Sequence, residues 1–227
     1  MNYNAFLTKV NVSKESICRE IYADNRDKIR IKKEETAIRN LEKIFNATLK
    51  LSNKKGFQAM SMRDFSRETG LSLGALYSYF SSKEELLEMI LQRGRVIVCQ
   101  LLDEYIYKEA DPAERLRLAI RLHLYLSEAM QPWFYFSFME AKNMTKDQRE
   151  KTLEGELYTD EIFAAILKKG QNKGLFHARD CQQSASAIKA MLQDWYVKRW
   201  KYARRNISVD QYAEFVIDFV EAYHLAE

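Results

Sequence analysis

One stretch of the chain, residues 61–87, constrains the fold more than any other. It reads SMRDFSRETGLSLGALYSYFSSKEELL, and within it Arg63–Thr69 has the apolar spacing of a two-turn helix. Gly70 follows directly, and glycine often ends helices because it adopts positive φ without a Cβ clash. The next predicted helix, about Leu73–Tyr79, is too short to be stable alone in water. The stretch therefore predicts two short helices that pack against each other across a tight turn.

The second short helix has an inner and an outer edge. Leu76 and Phe80 are apolar and are predicted to pack on the first helix. Ser82 then caps a third helix, with Glu85 three residues later as in a capping box. This pattern is typical of a helix-turn-helix, whose second helix enters the major groove of DNA. The predicted outer edge of that helix consists of Ser72, Leu73, Ala75, Tyr77 and Tyr79.

At these residues the chain resembles a known family. The chain contains a string of residues that resembles the signature of the TetR (tetracycline-repressor) family of one-component transcriptional regulators. The string is Gly70, Gly74, Tyr77, Tyr79, Phe80, Lys83, Glu84 and Leu86. The likeness covers Thr36–Ile90. It implies a small N-terminal DNA-binding domain joined to a larger helical domain that binds an inducer and dimerises. A similar hairpin in an unrelated helical protein would explain Gly70 and the apolar positions, but not two exposed tyrosines next to Lys83.

The rest of the chain is predicted to be helical as well. Seven glycines and two prolines are few for 227 residues, and no segment alternates apolar and polar residues as strands do. We therefore predict an all-α fold with a three-helix helix-turn-helix domain and a helical ligand-binding and dimerisation domain. The predicted boundaries are an N-terminal extension at 1–35, the DNA-binding domain at 36–82 and the helical domain at 83–227.

Composition argues against several classes of site. No apolar run has the length of a membrane span, and Met1 is not followed by a secretory signal. We therefore predict a cytoplasmic protein with no membrane partner. No metal or cofactor is predicted, since no phosphate-binding or nucleophile motif occurs and the possible soft ligands are scattered. Those ligands are Cys18, Cys99, Cys181, His123, His177 and His224.

Positive charge is concentrated in the N-terminal part of the sequence. Residues 1–35 hold eight basic and six acidic residues, and residues 36–93 hold nine and six. The remainder holds nineteen basic and twenty acidic residues, so the whole positive excess in the net charge of +4 lies before residue 94. A basic excess beside a helix-turn-helix is what neutralisation of DNA phosphates requires.

The N-terminal extension has two interpretations. Ser13 is predicted to cap a helix, which is followed by a basic segment containing Arg26, Lys28, Arg30, Lys32 and Lys33. This segment could be an arm that reaches a groove or the phosphate backbone. The sequence favours a solvated, helical extension of the first helix of the DNA-binding domain, while the arm stays open as the other interpretation.

The DNA-contacting residues are predicted from the resemblance and from their positions. Tyr77 and Tyr79 match the family's phosphate-contacting aromatics, and Lys83 stands at a helix N-terminus, where an ammonium and backbone amides together hold a phosphate. Leu73 and Ala75 could make only apolar contacts in the groove. The complete predicted set is Ser61, Arg63, Ser72, Leu73, Gly74, Ala75, Tyr77, Tyr79 and Lys83.

A small-molecule site is predicted in the helical domain. The long helix from Lys83 to about Lys108 is apolar nearly all round, and many aromatic residues follow Pro132. This abundance favours an apolar or aromatic effector, and the lack of obvious buried Lys or Arg argues against an anion pocket. His123 is either a core residue or a hydrogen-bond donor to the ligand. The predicted lining is Leu101, Tyr105, His123, Phe136, Phe163 and Trp195.

The last two helices are predicted to form a homodimer interface. Their apolar residues recur at steps of three and four, and a Ser208–Gln211 capping box begins the final helix. Paired with a two-fold mate, they would make a four-helix seam, although an ordinary intrachain core would show the same stripe. The predicted interface residues are Met191, Tyr212, Phe215, Val216, Phe219 and Tyr223.

Together these patterns predict a ligand-responsive, homodimeric transcriptional repressor that binds double-stranded operator DNA. The alternative is a helical small-molecule-binding protein or enzyme in which the helix-turn-helix is only scaffold. Tyr77, Tyr79 and Lys83 discriminate between the two, because a scaffold would not need them exposed.

Overall fold

The fold is all-α, as predicted. The computed structural model describes residues 1–106, 108–140 and 145–226, and in those ranges the chain forms twelve helices and no strand beyond a bridge between Phe176 and Leu225. The helices are α1 Tyr3–Lys9, α2 Lys14–Asp24, α3 Glu34–Lys55, α4 Met62–Thr69, α5 Leu73–Leu76, α6 Lys83–Ile106, α7 Pro112–Ala129, α8 Gln131–Glu140, α9 Lys146–Asn172, α10 Cys181–Val197, α11 Arg199–Arg204 and α12 Val209–His224.

Local signals place most helix ends. The side chains of Ser13, Asp111 and Asp180 accept hydrogen bonds from backbone amides of the helices that follow them. The Ser208–Gln211 capping box forms as predicted. The Ser82 hydroxyl accepts from the Glu85 amide at 3.1 Å, as predicted, but the Glu85 carboxylate accepts from the amide and hydroxyl of Ser81 rather than from the Ser82 amide.

The chain packs into two compact units. The helix-turn-helix unit comprises Asn11–Ile97 and Phe136–Gln148, and the C-terminal unit comprises Met1–Val10, Val98–Tyr135 and Arg149–Glu227. Packing therefore groups the chain differently from the predicted boundaries at residues 35 and 82. The predicted extension is divided between the units, and α6 contributes its first part to one unit and its last part to the other.

The helix-turn-helix unit is held together by contacts between distant parts of the sequence. Helix α2 packs against α3, and α3 packs against α4. The buried Glu140 carboxylate at the end of α8 accepts hydrogen bonds from the Ser52 hydroxyl at 2.6 Å and the Phe57 amide at 3.1 Å. Because a buried carboxylate is costly unless hydrogen-bonded, these two bonds fix the turn after α3.

The C-terminal unit is built around α7. Helices α10, α12 and α1 all pack against it. The Tyr125 hydroxyl on α7 donates to the Asp210 carboxylate at 2.6 Å, and the Tyr3 amide donates to the same carboxylate at 2.9 Å. Phe6 is fully buried in this unit. Helix α1 thus contributes to the core of this unit through Phe6, a role that its sequence did not indicate.

Two absences bear on function. None of the described helices combines the length and the sustained hydrophobicity that a bilayer crossing requires. Within the same described ranges, no three or more His, Cys, Asp or Glu side chains are grouped so that they could hold a metal ion.

Candidate functional site

The helix-turn-helix is assembled by local capping and one aromatic contact. Ser61 forms a capping box with Asp64 at the start of α4, and Gly70 ends that helix at φ +71° in the left-handed region. The Phe65 and Phe80 rings meet edge-on with centroids 6.3 Å apart. This contact, together with the fully buried Leu76, holds α5 against α4, as the sequence predicts.

The outer edge of α5 is open to solvent. Leu73 is 40% exposed and Tyr77 is 46% exposed, although both are large apolar side chains. Ser72 and Gly74 are also exposed, whereas Ala75 is half-buried. A Cβ added to Gly74 would meet no atom within 4 Å. Because exposed apolar side chains on a short capped helix contribute little to its own core, this edge is free to contact a partner.

The start of α4 adds a charged surface beside that edge. Ser61 and Arg63 are exposed, as predicted for contacts to the DNA backbone or a base edge. The Asp64 carboxylate pairs with Lys55 and Arg67, and hydrogen bonds from Lys55 and then Ser61 hold its pKa well below its usual range. Asp64 therefore stays ionised and offsets part of the local positive charge.

Tyr79 is a correction to the predicted contact set. It was predicted to be exposed, but only 1% of its surface is accessible to solvent. Its hydroxyl accepts a hydrogen bond from the Asn40 amide at 2.9 Å. Burial raises the pKa of Tyr79 above its ordinary value. The tyrosine therefore ties α3 to the end of the helix-turn-helix and offers no surface to DNA in this structure.

Lys83, which was predicted to be exposed, is half-buried and makes hydrogen bonds within the chain, while its contact with DNA stays a prediction. Its Nζ atom donates to the Gln58 carbonyl at 2.7 Å and lies 3.4 Å from the Met60 carbonyl oxygen. It also lies 5.5 Å from the centroid of the Phe57 ring. Since an ammonium has three N–H donors, one donor remains for a phosphate.

The predicted effector residues are divided between the two units. Phe136 belongs to the helix-turn-helix unit, where its ring lies 6.2 Å from that of Phe57. Trp195 is fully buried in the C-terminal unit, with its indole N–H donating to Glu128 at 3.0 Å and its ring stacked on Tyr212. Its polar atom is satisfied within the protomer, so it acts as a core residue. Of the others, Leu101 and Tyr105 are half-buried on α6, and Phe163 is buried on α9.

His123 is the predicted effector residue with a free hydrogen-bonding atom. It is buried on α7, its ring lies 6.0 Å from that of Phe134, and its Nδ1 atom has no hydrogen-bond partner among the described residues. Desolvation, reinforced by the nearby Lys189 charge, places the pKa of His123 well below its ordinary value. The imidazole is therefore neutral, with one donor and one acceptor nitrogen.

Lys189 is a buried cation that sequence reasoning missed. Its Nζ atom lies 3.3 Å from the Glu156 carboxylate and donates to the Thr159 hydroxyl. The statement that the domain lacks a buried Lys or Arg is therefore wrong. The signal was its position between Ala185 and Leu192 on the apolar face of α10, where a lysine is buried only if it is paired.

The neutral state of His123 predicts a pH dependence of folding. In the unfolded chain His123 binds a proton near pH 6.5, whereas in the folded chain it stays neutral to lower pH. The unfolded state then holds more protons below pH 6.5, so stability falls as the pH drops through that value. We expect urea unfolding to show lower stability at about pH 5.5 than at about pH 7.5, with this group contributing on the order of 1 kcal/mol of the difference.

The His123→Leu variant isolates that contribution. His224, whose pKa burial also lowers, contributes with the same sign and remains in both proteins. The variant should therefore lose less stability than the wild type over the same pH range. Equal losses would show that His123 is not held neutral in the folded protein.

The last helix separates the predicted interface residues into two groups. Phe215 and Phe219 are each 59% exposed and Tyr223 is 49% exposed, and they follow one another at steps of four along α12. Val216 and Tyr212, by contrast, are buried within the protomer, and the Tyr212 hydroxyl donates to the Met191 carbonyl at 2.8 Å. The prediction of an interface role for Val216 and Tyr212 conflicts with this burial, since the Tyr212 ring stacks on Trp195 of α10 and Val216 is fully buried.

This architecture, a capped helix-turn-helix with an open recognition edge and a separate helical unit with an exposed aromatic row, defines a one-component DNA-binding regulator. A sequence model described as "Bacterial regulatory proteins, tetR family" matches residues 44–90. A second, "Tetracyclin repressor-like, C-terminal domain", matches residues 109–222, half of the chain. The chain belongs to the TetR family of transcriptional regulators.

Individual relatives agree with this assignment. HbdR, an HTH-type transcriptional regulator of Aromatoleum sp. (strain CIB), is 22% identical over 184 residues, which cover 81% of this chain and 80% of HbdR. The crystal structure of the TetR-family regulator PfmR from Thermus thermophilus is 28% identical and superposes with a TM-score of 0.71, covering 79% of this chain and 97% of PfmR. AibR, solved in complex with isovaleryl coenzyme A and operator DNA, is 19% identical with a TM-score of 0.68, covers 81% and 97%, and is similar in fold.

Proposed function

We propose that this regulator is a homodimeric repressor that binds operator DNA and is released by a small, apolar or aromatic effector. The observation that carries the proposal is the open edge of α5. Leu73 and Tyr77 remain exposed there while the opposite side of the helix is packed through Leu76. A scaffold helix would gain from covering those apolar side chains, whereas a recognition helix must leave them free for the major groove.

On DNA, the proposed contacts divide between positioning and reading. Tyr77 and the third N–H of Lys83 would hold phosphates, and Ser61 and Arg63 would contact the backbone or a base edge. Leu73, Gly74 and Ala75 would face the groove, where Leu73 can touch a thymine methyl group. The Ser72 hydroxyl oxygen accepts a hydrogen bond from the Ala75 amide at 3.2 Å, so its proton is still available to donate to DNA. With few polar readers, DNA shape would supply part of the specificity.

The dimer is proposed to form through the exposed row on α12. Phe215, Phe219 and Tyr223 present three aromatic side chains on one face, and aromatic anchors of this kind dominate the energy of interfaces. A two-fold dimer would present two recognition helices to half-sites about 34–36 Å apart or at a multiple of that distance. Met191 is half-buried on α10, where it could form the edge of the seam.

The effector is proposed to bind in the C-terminal unit beside His123. The unpartnered Nδ1 atom lies beside the Phe134 ring and near Lys189, whose charge is paired with Glu156, and this fits a mostly apolar ligand that offers one hydrogen-bonding group. Phe163 and the half-buried Leu101 and Tyr105 remain proposed lining residues. AibR, which is similar in fold, was solved in complex with both isovaleryl coenzyme A and operator DNA. This complex supports the proposal that a protein with this fold can bind a small molecule and DNA. Repression would take place in the cytoplasm, where operator DNA is accessible.

An electrophoretic mobility shift with DNA from upstream of the protein's own gene tests the proposal. We expect a salt-sensitive, specific complex containing two protomers, which unlabelled upstream DNA displaces more effectively than random DNA does. Absence of any DNA complex, with the protein folded, would favour the alternative of a helical small-molecule-binding protein or enzyme.

Induction predicts a reciprocal effect on binding. Only a difference in affinity between the operator-bound and free states allows a ligand to release DNA. If a ligand from a thermal-shift panel of apolar and aromatic compounds weakens operator binding tenfold, the coupling free energy is about 1.4 kcal/mol. Operator DNA must then weaken binding of that ligand tenfold as well. Calorimetric titration of the ligand with and without operator measures this, and equal affinities would contradict induction by that ligand.

A further inference from the structure

The basic segment Arg26–Lys33 precedes residue 44, where the match to the family's N-terminal model begins, and the proposed contacts do not use it. The structure decides between the two interpretations that its sequence leaves open. After a turn at the end of α2, the segment runs without helical structure to Lys33, so it is not a continuation of α3. Its charge is therefore carried by a non-helical stretch of the helix-turn-helix unit.

The backbone of the segment is fixed beside the recognition helix. The Arg30 amide donates to the Ser78 carbonyl at 2.9 Å, and Ser78 follows α5 by two residues. On the opposite side the Tyr22 hydroxyl donates to the Ile31 carbonyl at 3.0 Å, and Ile29 is buried. Leu73 and Ser78 are five residues apart, which is about 7.5 Å along a helix. The major groove is roughly 12 Å wide, so the point where the segment is anchored lies within one groove width of Leu73.

The charges of the segment point outward and are not neutralised by ion pairs. All five of its cationic side chains are exposed, and none lies within ion-pair distance of a described carboxylate. Two flanking acids have other partners, since Asp24 lies 3.6 Å from Arg93 and Glu34 lies 2.6 Å from Arg19. Hydrogen bonds from Ser81 and, to a lesser degree, the charge of Lys28 lower the pKa of Glu85, but the Lys28 and Glu85 side chains do not form an ion pair. With five cations and one carboxylate, Asp27, the segment carries +4, as much as the net charge of the whole chain.

We propose that Arg26–Lys33 is a second DNA-binding element, which holds the phosphates that flank the groove entered by α5. The inference rests on operator binding through α5 and extends the surface of each protomer. A fixed backbone lowers the entropy lost on binding, and long cationic side chains on it can reach phosphates without reading bases. The element would therefore raise affinity for all sequences and leave the preference for operator over random DNA unchanged.

The test compares two triple variants of the full chain that lose the same charge. The first changes Arg30→Gln, Lys32→Gln and Lys33→Gln. The matched control changes Lys168→Gln, Lys169→Gln and Lys173→Gln, three exposed cations in the last turn of α9 and directly after it in the C-terminal unit. Each is titrated at several salt concentrations with the upstream duplex and with a random-sequence duplex of equal length, which reports phosphate contacts even if the operator lies elsewhere.

We expect the first variant alone to bind both duplexes at least roughly tenfold more weakly at low salt. The slope of log affinity against log salt should fall by about 0.9 for each phosphate that is no longer neutralised, or about five for six phosphates in a dimer. The ratio of operator to random affinity should not change, and a charge-preserving variant with Arg30→Lys, Lys32→Arg and Lys33→Arg should restore binding.

Three results would overturn the inference. One is that the first variant binds with the affinity and the salt slope of the wild type. Another is that the control variant binds as weakly as the first variant, which would indicate an effect of long-range charge rather than direct phosphate binding. The third is a wild type that binds neither duplex, which would remove the proposed function as well. Circular dichroism and thermal unfolding of each variant accompany the titrations, and unchanged folding is expected because all six substituted side chains are exposed.

Discussion

A Gly74→Glu substitution is expected to abolish operator binding while leaving the protein folded. Gly74 is exposed on α5, and an added side chain would meet no protein atom within 4 Å of its Cβ. Glutamate also has a better helix propensity than glycine, so the midpoint of thermal unfolding should not fall. On DNA the same carboxylate would face phosphates, and two like charges 4 Å apart repel by about 4 kcal/mol near a protein surface, roughly a thousandfold in affinity.

Gly74→Ala is the matched control, because it changes the backbone preference in the same direction and adds only a methyl group. We expect it to fold like the wild type and to lose far less affinity than Gly74→Glu in a mobility-shift titration. If Gly74→Glu binds the upstream duplex as tightly as Gly74→Ala does, the outer edge of α5 does not enter the groove.

Phe219→Asp is expected to convert the dimer into folded monomers. Because Phe219 is mostly exposed in the protomer, the carboxylate stays in water when the protein is monomeric. In a dimer it would be buried in an apolar seam, which costs several kcal/mol for each unpaired charge. A penalty of about 4 kcal/mol raises the dimer dissociation constant roughly a thousandfold, which sedimentation velocity over a dilution series detects.

Leu157→Asp provides the control on a different helix. Leu157 lies on α9 and is about as exposed as Phe219, so the two variants differ in location rather than in the type of change. We expect it to sediment like the wild type. A Phe219→Asp protein that remains dimeric at the same concentrations would place the interface away from the aromatic row.

The helix-turn-helix was the part of the fold most completely predictable from sequence. Its determinants are local: the Ser61 capping box, the left-handed Gly70 and the apolar spacing through Leu76 all act within a few residues. The family likeness rests on the same short stretch. The exposed positions of α5 could be predicted for the same reason, since a short helix packed through one face must present the other.

The predictions of side-chain exposure that were wrong concern amphipathic residues. Tyr79 and Lys83 each have a polar end and an apolar body, and the sequence does not say which neighbour will cover them. Asn40, from α3, provides the partner that buries Tyr79, and the carbonyls of Gln58 and Met60 engage Lys83. Such contacts join residues more than twenty positions apart, beyond the range of helical periodicity.

The sequence by itself determined the helical class, most helix ends and the recognition helix, because capping, glycine conformation and apolar spacing are properties of neighbouring residues. Only the tertiary structure decided which half of the α12 stripe is core and which half is exposed, because α7 and α10 cover one side of that helix. It likewise decided that the basic segment lies beside the recognition helix. That placement depends on a hydrogen bond between Arg30 and Ser78, which long-range packing alone brings together.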